Sequence, residues 1–448
     1  MNRNTEIIGK GADQSIIILY YLLVAIGLIA IFSVEYKFGD SVLESIISLK
    51  KNYAKQLLYV VISAVIGIVI LLIDSKFFAT SANLLYFLGI ILMLLTFVIG
   101  KDISGSKSWI ALGGGFNLQP AELCKVFTSL ALAKYMSHQD LDFSKTRGQV
   151  IAISIILLPA LLSIAQKETG LALVYFSFFI VMFREGLPAG YLITGFSVAV
   201  LFVSAIIMSL ISYTLLIIVV AFIIIYFQWR QIKRNYGKLA GILFIAILCI
   251  SIKYFADNIL FDKILKPYQA ERILSMFGKS YIPKDEKRIA QFEKEQAEGK
   301  KRDYTYNVKQ SKIAIGSGGI LGKGFLKGVT TQGDFVPEQH TDFIFTAVAE
   351  SFGFWGSTLL VLIYFFLLLR IMQVGERQRS TFSRVYAYSV ASILFFHVFI
   401  NIYMTIGLMP VIGITLPLLS YGGSSMLTFT VLIFILLRLD LDRQMVLR

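Results

Sequence analysis

Runs of about 20 mostly apolar residues recur along almost the whole of this sequence, separated by short polar connections. Each is as long as a helix must be to cross a hydrocarbon layer. The first, Ser15 to Phe32, is followed by no small-residue cleavage site and reads as a retained helix, not a signal peptide. A chain of 448 residues that is 56% hydrophobic and only 16% charged is too apolar for a water-soluble fold. In lipid every backbone polar group needs an internal partner, so an all-α polytopic membrane protein is expected.

About twelve spans are expected, near residues 15–33, 55–73, 83–99, 119–136, 149–165, 170–184, 189–209, 212–228, 239–256, 344–370, 385–406 and 420–438. An even number puts both termini on one face. The basic connection from Trp229 to Lys238 and that from Arg370 to Arg384, with Arg377 and Arg379, fall on the same face and make it cytoplasmic. The one large hydrophilic segment, residues 257–343, is then extracytoplasmic. Within it, Lys284 to Arg302 is expected to form a charged surface helix ended by Gly299. Residues 306–319 are apolar enough to dip into the membrane edge and glycine-rich enough to turn there, which requires protein or a wet cavity around them.

The formal net charge of +14 does not indicate a nucleic-acid partner, because the Lys and Arg fall mainly at helix ends and in loops, where lipid head groups account for them. Cys124 and Cys249 lie inside apolar runs and read as packing residues. The run Gly318 to Gly324 resembles a phosphate-binding loop only superficially: Ser317 stands where its first glycine belongs, and Gly324 where a Ser or Thr would hold magnesium. Its glycines read as turn formers.

Charges inside spans carry more information, since each costs about 2.5–3.5 kcal/mol at the bilayer centre unless it is paired or wet. Glu122 and Lys125, three apart on one helix, can form an ion pair or a polar wall for a head group. Glu168 precedes a span whose N-terminus favours an anion. Glu350 sits beside Ser351 and Gly353, small residues that permit close helix packing. Asp342, in His340-Thr341-Asp342, reads as a helix cap or as a site residue. Glu338, His340 and Asp342 are too few and too loosely spaced to define a metal centre by themselves; the alternative is a divalent cation, Mg or Mn, bridging a pyrophosphate.

Several stretches, taken together, resemble the successive signatures of the RodA/FtsW (SEDS) proteins: Gly105 to Ile110, Gln119 to Lys125, Gln310 to Gly319, Pro337 to Phe345, and Gly407-Leu408-Met409-Pro410 through Pro417 to Ser425. The run Gln310 to Gly319 favours the RodA branch. The resemblance spans most of the chain, as a single membrane domain over 1–448. It implies a bacterial inner-membrane peptidoglycan glycosyltransferase acting in cell elongation and shape, with lipid II as substrate and a class B penicillin-binding protein as partner. The family has a core of ten spans, so the surplus is assigned to an extra helical pair within 189–256, leaving 257–343 as the large outer loop.

A catalytic Asp is implied a little before Tyr306. The usual context is absent, so Asp303 is chosen for its nearness to the motif and Asp285 is its rival. Glu168 and Lys167 replace the family's Asp and Pro, and Ser108 stands where many members have Arg, leaving Lys107 as the nearby cation. By the same resemblance, Lys107, Trp109, Glu122, Lys125, Glu168, Gln310, Ser311, Lys312, His340, Thr341, Asp342, Ser420, Tyr421, Gly422, Gly423 and Ser424 are candidate substrate-binding residues. A sugar hydroxyl is a poor nucleophile at neutral pH, so one carboxylate acting as general base is the expected catalyst. The departing pyrophosphate needs cations or amide donors, and Lys107, Lys125 and Lys312 are available. Direct attack on an α-linked donor inverts the anomeric centre, so no covalent intermediate is required. Two competitors are a flippase of the lipid-linked precursor, with Glu122, Lys125 and Glu168 as its polar path, and a non-catalytic scaffold for the transpeptidase. The large outer loop favours the enzyme.

Overall fold

Among the described residues the long apolar runs are helical. The computed structural model describes residues 13–103, 106–113, 116–138, 143, 145–259, 274, 289–290 and 304–443. Of the expected surface helix over 284–302 only Ile289 and Ala290 are described, both helical and exposed, and Asp285 and Asp303 lie outside the described residues. Helix α1 (Gln14–Glu35) starts where the Asp13 carboxylate accepts the amide of Ile16 at 3.3 Å. A short helix α2 (Val42–Ser48) links it to α3 (Asn52–Leu72). Helix α4 (Ser75–Ile99) is capped by Asp74 through the Lys76 amide. Then comes a feature the sequence reading did not anticipate, a three-stranded antiparallel sheet of β1 (Lys101–Ile103), β2 (Ser106–Gly113) and β3 (Phe116–Leu118).

Helices α5 (Pro120–Met136), α6 (Thr146–Ala165), α7 (Thr169–Tyr175) and α8 (Phe178–Arg184) follow, α5 opening on a proline whose missing N–H has no helical partner to lose. Helices α9 (Ala189–Ile207), α10 (Leu210–Ile232) and α11 (Gly237–Phe255) come next. Beyond them lie α12 (Tyr304–Gly318), the one-turn α13 (Val329–Gln332), α14 (Ile344–Glu376), α15 (Thr381–Thr405) and α16 (Gly423–Leu441). Among the described residues, ten helices are long and apolar enough to cross a membrane. The apolar stretches Pro120–Met136, of 17 residues, and Thr169–Arg184 fall below that length. The fold class is therefore all-α and polytopic with about ten candidate spans, where twelve had been expected.

The chain forms two compact units, one of residues 1–188 and 307–448, the other of 189–306. In the second, α10 packs on α11 around Ala205, Tyr213, Ile217 and Cys249, and Lys253 pairs with Asp257 at 2.8 Å. Both cysteines are buried thiols, as expected of packing residues. In the first unit α15 and α16 are the interior helices, with 72% and 78% of their most apolar stretches buried against protein. Their surroundings are side chains, not lipid, which is why polar residues are tolerated on them.

The two ends of this larger unit differ. At one, Asp13 receives Arg370 and Arg377 at 3.0 Å each, and Arg377 also binds Asp440, so the start of α1 and the ends of α14 and α16 are clasped together. At the other lie the sheet, the 166–168 turn, residues 319–343 and residues 406–422. Here the structure changes two readings. Residues 304–318 are regular helix, and the turn comes only afterwards, at Gly319, Gly322 and Gly324, all with positive φ. Glu350 is not a bystander to small-residue packing. It is fully buried and accepts the amides of Thr330 and Thr331 at 2.9 Å and the Lys323 ammonium at 3.0 Å. One carboxylate thus satisfies the otherwise orphaned N–H groups of α13 and fastens the 319–333 segment to the break in α14.

Candidate functional site

The sheet carries the first part of the site. In a strand successive side chains alternate faces, so Ser106 and Ser108 are buried while Lys107 is exposed on the other side and Trp109 is half-buried. Ser106 donates to the Gln166 carbonyl at 2.7 Å, and Ser108 donates to Glu168 Oε1 at 2.6 Å. Glu168 occupies the cap position of α7 but makes no capping hydrogen bond. Its carboxylate is oriented by Ser108, at the helix N-terminus where an anion is favoured.

The segment Pro337 to Phe343 is stitched to residues 416–421. The Ser420 hydroxyl donates to the Thr341 carbonyl at 2.6 Å and accepts the Leu416 amide at 2.8 Å. The Tyr421 amide donates to the His340 carbonyl at 2.8 Å, and the two rings meet edge to face at 5.7 Å. The Thr341 hydroxyl turns back to Glu338. Asp342 is not a cap: Phe343 holds that position in α14, without a side-chain hydrogen bond. The Asp342 carboxyl is instead pushed up to about 7, first by burial and then by the charges of Glu338 and Glu168, so this carboxyl, Glu338 and Glu168 share one electrostatic environment.

That shift has a sign that can be tested. An unfolded Asp ionises near about 3.9, so between there and 7 the native state holds a proton that the unfolded chain has released. The carboxyl's contribution to stability is complete below about pH 4 and is lost as pH rises through 7. Asp342→Asn, which has no charge to bury, is expected to raise the melting temperature of the detergent-solubilised protein, by more at pH 8 than at pH 5. An equal effect at both would refute the assignment.

The remaining candidates occupy packed positions. Ser311 is fully buried, donating to the Thr405 carbonyl at 2.8 Å and lying 2.7 Å from the Thr346 hydroxyl. Gln310 is half-buried beside it, and the exposed Lys312 lies over Gly407. The Gly422 amide donates to Gln56 Oε1 at 3.1 Å, Gly423 rests on the Tyr59 ring, and Ser424 accepts the Gln119 amide at 3.1 Å.

That last bond ties the start of α5 to the start of α16, with the expected ion pair one turn further in. Lys125 Nζ lies 2.9 Å from Glu122 Oε2, and both side chains are buried. A third member was missed. His397 Nε2 lies 2.8 Å from Lys125 Nζ, its Nδ1 is 3.1 Å from the Thr415 carbonyl, and Phe429 closes over both. The signal available was a histidine within an apolar run, four residues before Asn401.

The structure therefore joins Ser108, Glu168, His340, Thr341, Asp342, Ser420 and Tyr421 at one end of the larger unit. Glu122 and Lys125 are sealed among helices, and Lys107 is turned away from Ser106 and Ser108. Among the described residues no three His, Cys, Asp or Glu side chains come together in a way that could hold a metal ion.

Comparison with known proteins points the same way. Residues 13–217 and 210–445 match the FtsW/RodA/SpoVE family of cell cycle proteins. The chain is 30% identical over 382 residues, 85% of its own length and 83% of the relative's, to the peptidoglycan glycosyltransferase MrdB of Escherichia coli K12. It is 27% identical to the peptidoglycan glycosyltransferase RodA of Treponema pallidum, covering 93% of this chain and 94% of that one. Among solved structures, the rod shape determining protein RodA of Thermus thermophilus superimposes with a TM-score of 0.59 at 22% identity, covering 97% of this chain and 98% of that one. A chain from a peptidoglycan synthase complex that coordinates polymerization and crosslinking superimposes with a TM-score of 0.64 at 23% identity, covering 96% and 98%. These two likenesses are of fold. With the family matched along nearly its whole length, the chain belongs to the FtsW/RodA/SpoVE family of cell cycle proteins.

Proposed function

We propose that the protein is a peptidoglycan glycosyltransferase of the bacterial cytoplasmic membrane, polymerising glycan strands from undecaprenyl-pyrophosphate-linked disaccharide-peptide, lipid II, during elongation. The observation that carries this reading is the 30% identity across 85% of the chain to a relative of that activity. It is supported by the gathering of the family signatures around Glu168, Asp342 and Tyr421 at one end of the larger unit. Acceptor activation falls to Asp303, or to its rival Asp285, as general base. Lys107 and Lys312, both exposed, offer charge to the departing pyrophosphate. Inversion at the donor carbon needs no second carboxylate as nucleophile.

In this reading α5 and the pair α7 and α8 also cross the bilayer, giving twelve spans. Helices α10 and α11, with the basic turn between them, are the pair added to the family core. Shielded by neighbouring helices, α5 can be short, since its ion pair faces protein and not lipid. Both termini are cytoplasmic, on the side of the Asp13, Arg377 and Asp440 clasp, and the site end faces outward. A class B penicillin-binding protein is the crosslinking partner, by analogy with the synthase complex whose chain shares this fold.

Purified protein with its co-expressed transpeptidase is expected to convert labelled lipid II to glycan polymer. Asp303→Asn is expected to lose that product while Asp285→Asn retains it. Loss in Asp285→Asn alone would transfer the role to the rival. Full polymerisation by both, with lipid movement abolished by Glu122→Gln, would favour the flippase instead.

A further inference from the structure

Along the outer half of α15, His397, Asn401 and Thr405 follow one another at intervals of four, and all three are fully buried. That spacing places them on one stripe of the helix. Each holds a different part of the fold. The Thr415 carbonyl can only accept and the Lys125 ammonium can only donate, so the His397 imidazole carries its proton on Nδ1 and accepts at Nε2. Asn401 gives its amide hydrogens to two main-chain carbonyls, that of Asp342 at 2.8 Å and that of Ile414 at 2.7 Å. The Thr405 carbonyl receives Ser311.

Asn401 makes these bonds at a cost, because its Oδ1 is buried with no hydrogen-bond partner. An apolar residue would remove that orphan but leave the Asp342 and Ile414 carbonyls without this donor. What the amide achieves is geometric: it fixes the backbone that carries Asp342 against residues 414–415, the same short segment that His397 holds beside Lys125.

We propose that Asn401 and His397 are positioning residues for glycosyl transfer, joining the buried Lys125 to the main chain of Asp342 so that the two are placed as one unit. The inference rests on the polymerase reading. Neither residue touches substrate; each acts through the group it holds.

The test uses the complex with its transpeptidase and labelled lipid II. Asn401→Leu and His397→Leu are expected to lower kcat about 10- to 100-fold, the scale of a misplacement of about 1 Å, with KM for lipid II changed less than about twofold. His397→Gln, whose amide can donate to Thr415 and accept from Lys125, is expected to recover most of the lost rate although it packs no better than Leu. A role in packing alone would make activity follow melting temperature across the three variants, without rescue by Gln, and that result would overturn the proposal. Polymer formed equally by the wild type and Asn401→Leu would also overturn it. No polymer from the wild type would overturn the polymerase reading, and this inference with it.

Discussion

Lys125→Met is expected to destabilise the protein by about 3–5 kcal/mol, the usual consequence of removing one partner from a buried ion pair. Methionine fills much of the same space, so the loss is electrostatic. It leaves the Glu122 carboxylate buried without its cation and His397 Nε2 without a donor. Burial decides this magnitude, not distance. Lys37 and Asp334 lie 3.2 Å apart, nearly as close, but each is about 60% exposed. Such pairs contribute little, because water solvates either partner once the other is gone. The double variant Glu122→Gln with Lys125→Met removes both charges and is expected to regain most of the stability, so the two losses are far from additive. Thermal unfolding in detergent, followed for the single and double variants, measures this coupling. A double variant that melts lower than Lys125→Met would show that the pair is not what holds α5 in place.

The second large effect concerns Gly353. Helix α14 breaks there, with φ 64° and ψ −155°, a backbone region open essentially to glycine. The break lets the 319–324 turn bind edge-on: Gly324 donates to the Ser351 carbonyl at 3.0 Å, and Phe354 donates to the Gly319 carbonyl at 2.9 Å. A Cβ on residue 353 would stand 2.7 Å from the Ile320 carbonyl oxygen and overlap the Gly322 amide nitrogen. Those are backbone atoms and cannot swing aside. Gly353→Ala is therefore expected to cost about 1–3 kcal/mol from its own dihedrals, and more from displacing the turn and the Glu350 clasp on Thr330 and Thr331. Polymerisation should be lost with it. Gly316→Ala is the control, for residue 316 is helical and a Cβ there meets nothing within 4 Å. Its melting temperature should match or exceed that of the wild type, since alanine is the better helix former. Equal melting of both variants would mean that the break is not required.

Hydropathy located the apolar segments because spanning length and composition are properties of contiguous residues, and ten of the twelve expected spans coincide with helices long and apolar enough to cross a membrane, while 119–136 and 170–184 fall on shorter helices. The same locality made the Glu122 and Lys125 pair legible, since residues three apart share a helix face. It could not reveal the sheet at 101–118, because β1 and β3 are three residues each and β2, though eight residues long, does not alternate polar with apolar side chains. Nor could it assign Glu350 to Thr330 and Thr331, or the carbonyl of Asp342 to Asn401.

What the sequence by itself determined is which segments are long and apolar enough to be candidate spans and which charges lie among apolar neighbours, because hydropathy is set by each residue and those beside it in the chain. Only the tertiary structure decided who neutralises or orients those groups. His397 is 272 positions from Lys125, and the packing of α5 against α15 brings them together. No local pattern encodes that, since a buried polar group needs a partner of the right kind at hydrogen-bond distance and is indifferent to where in the chain it comes from.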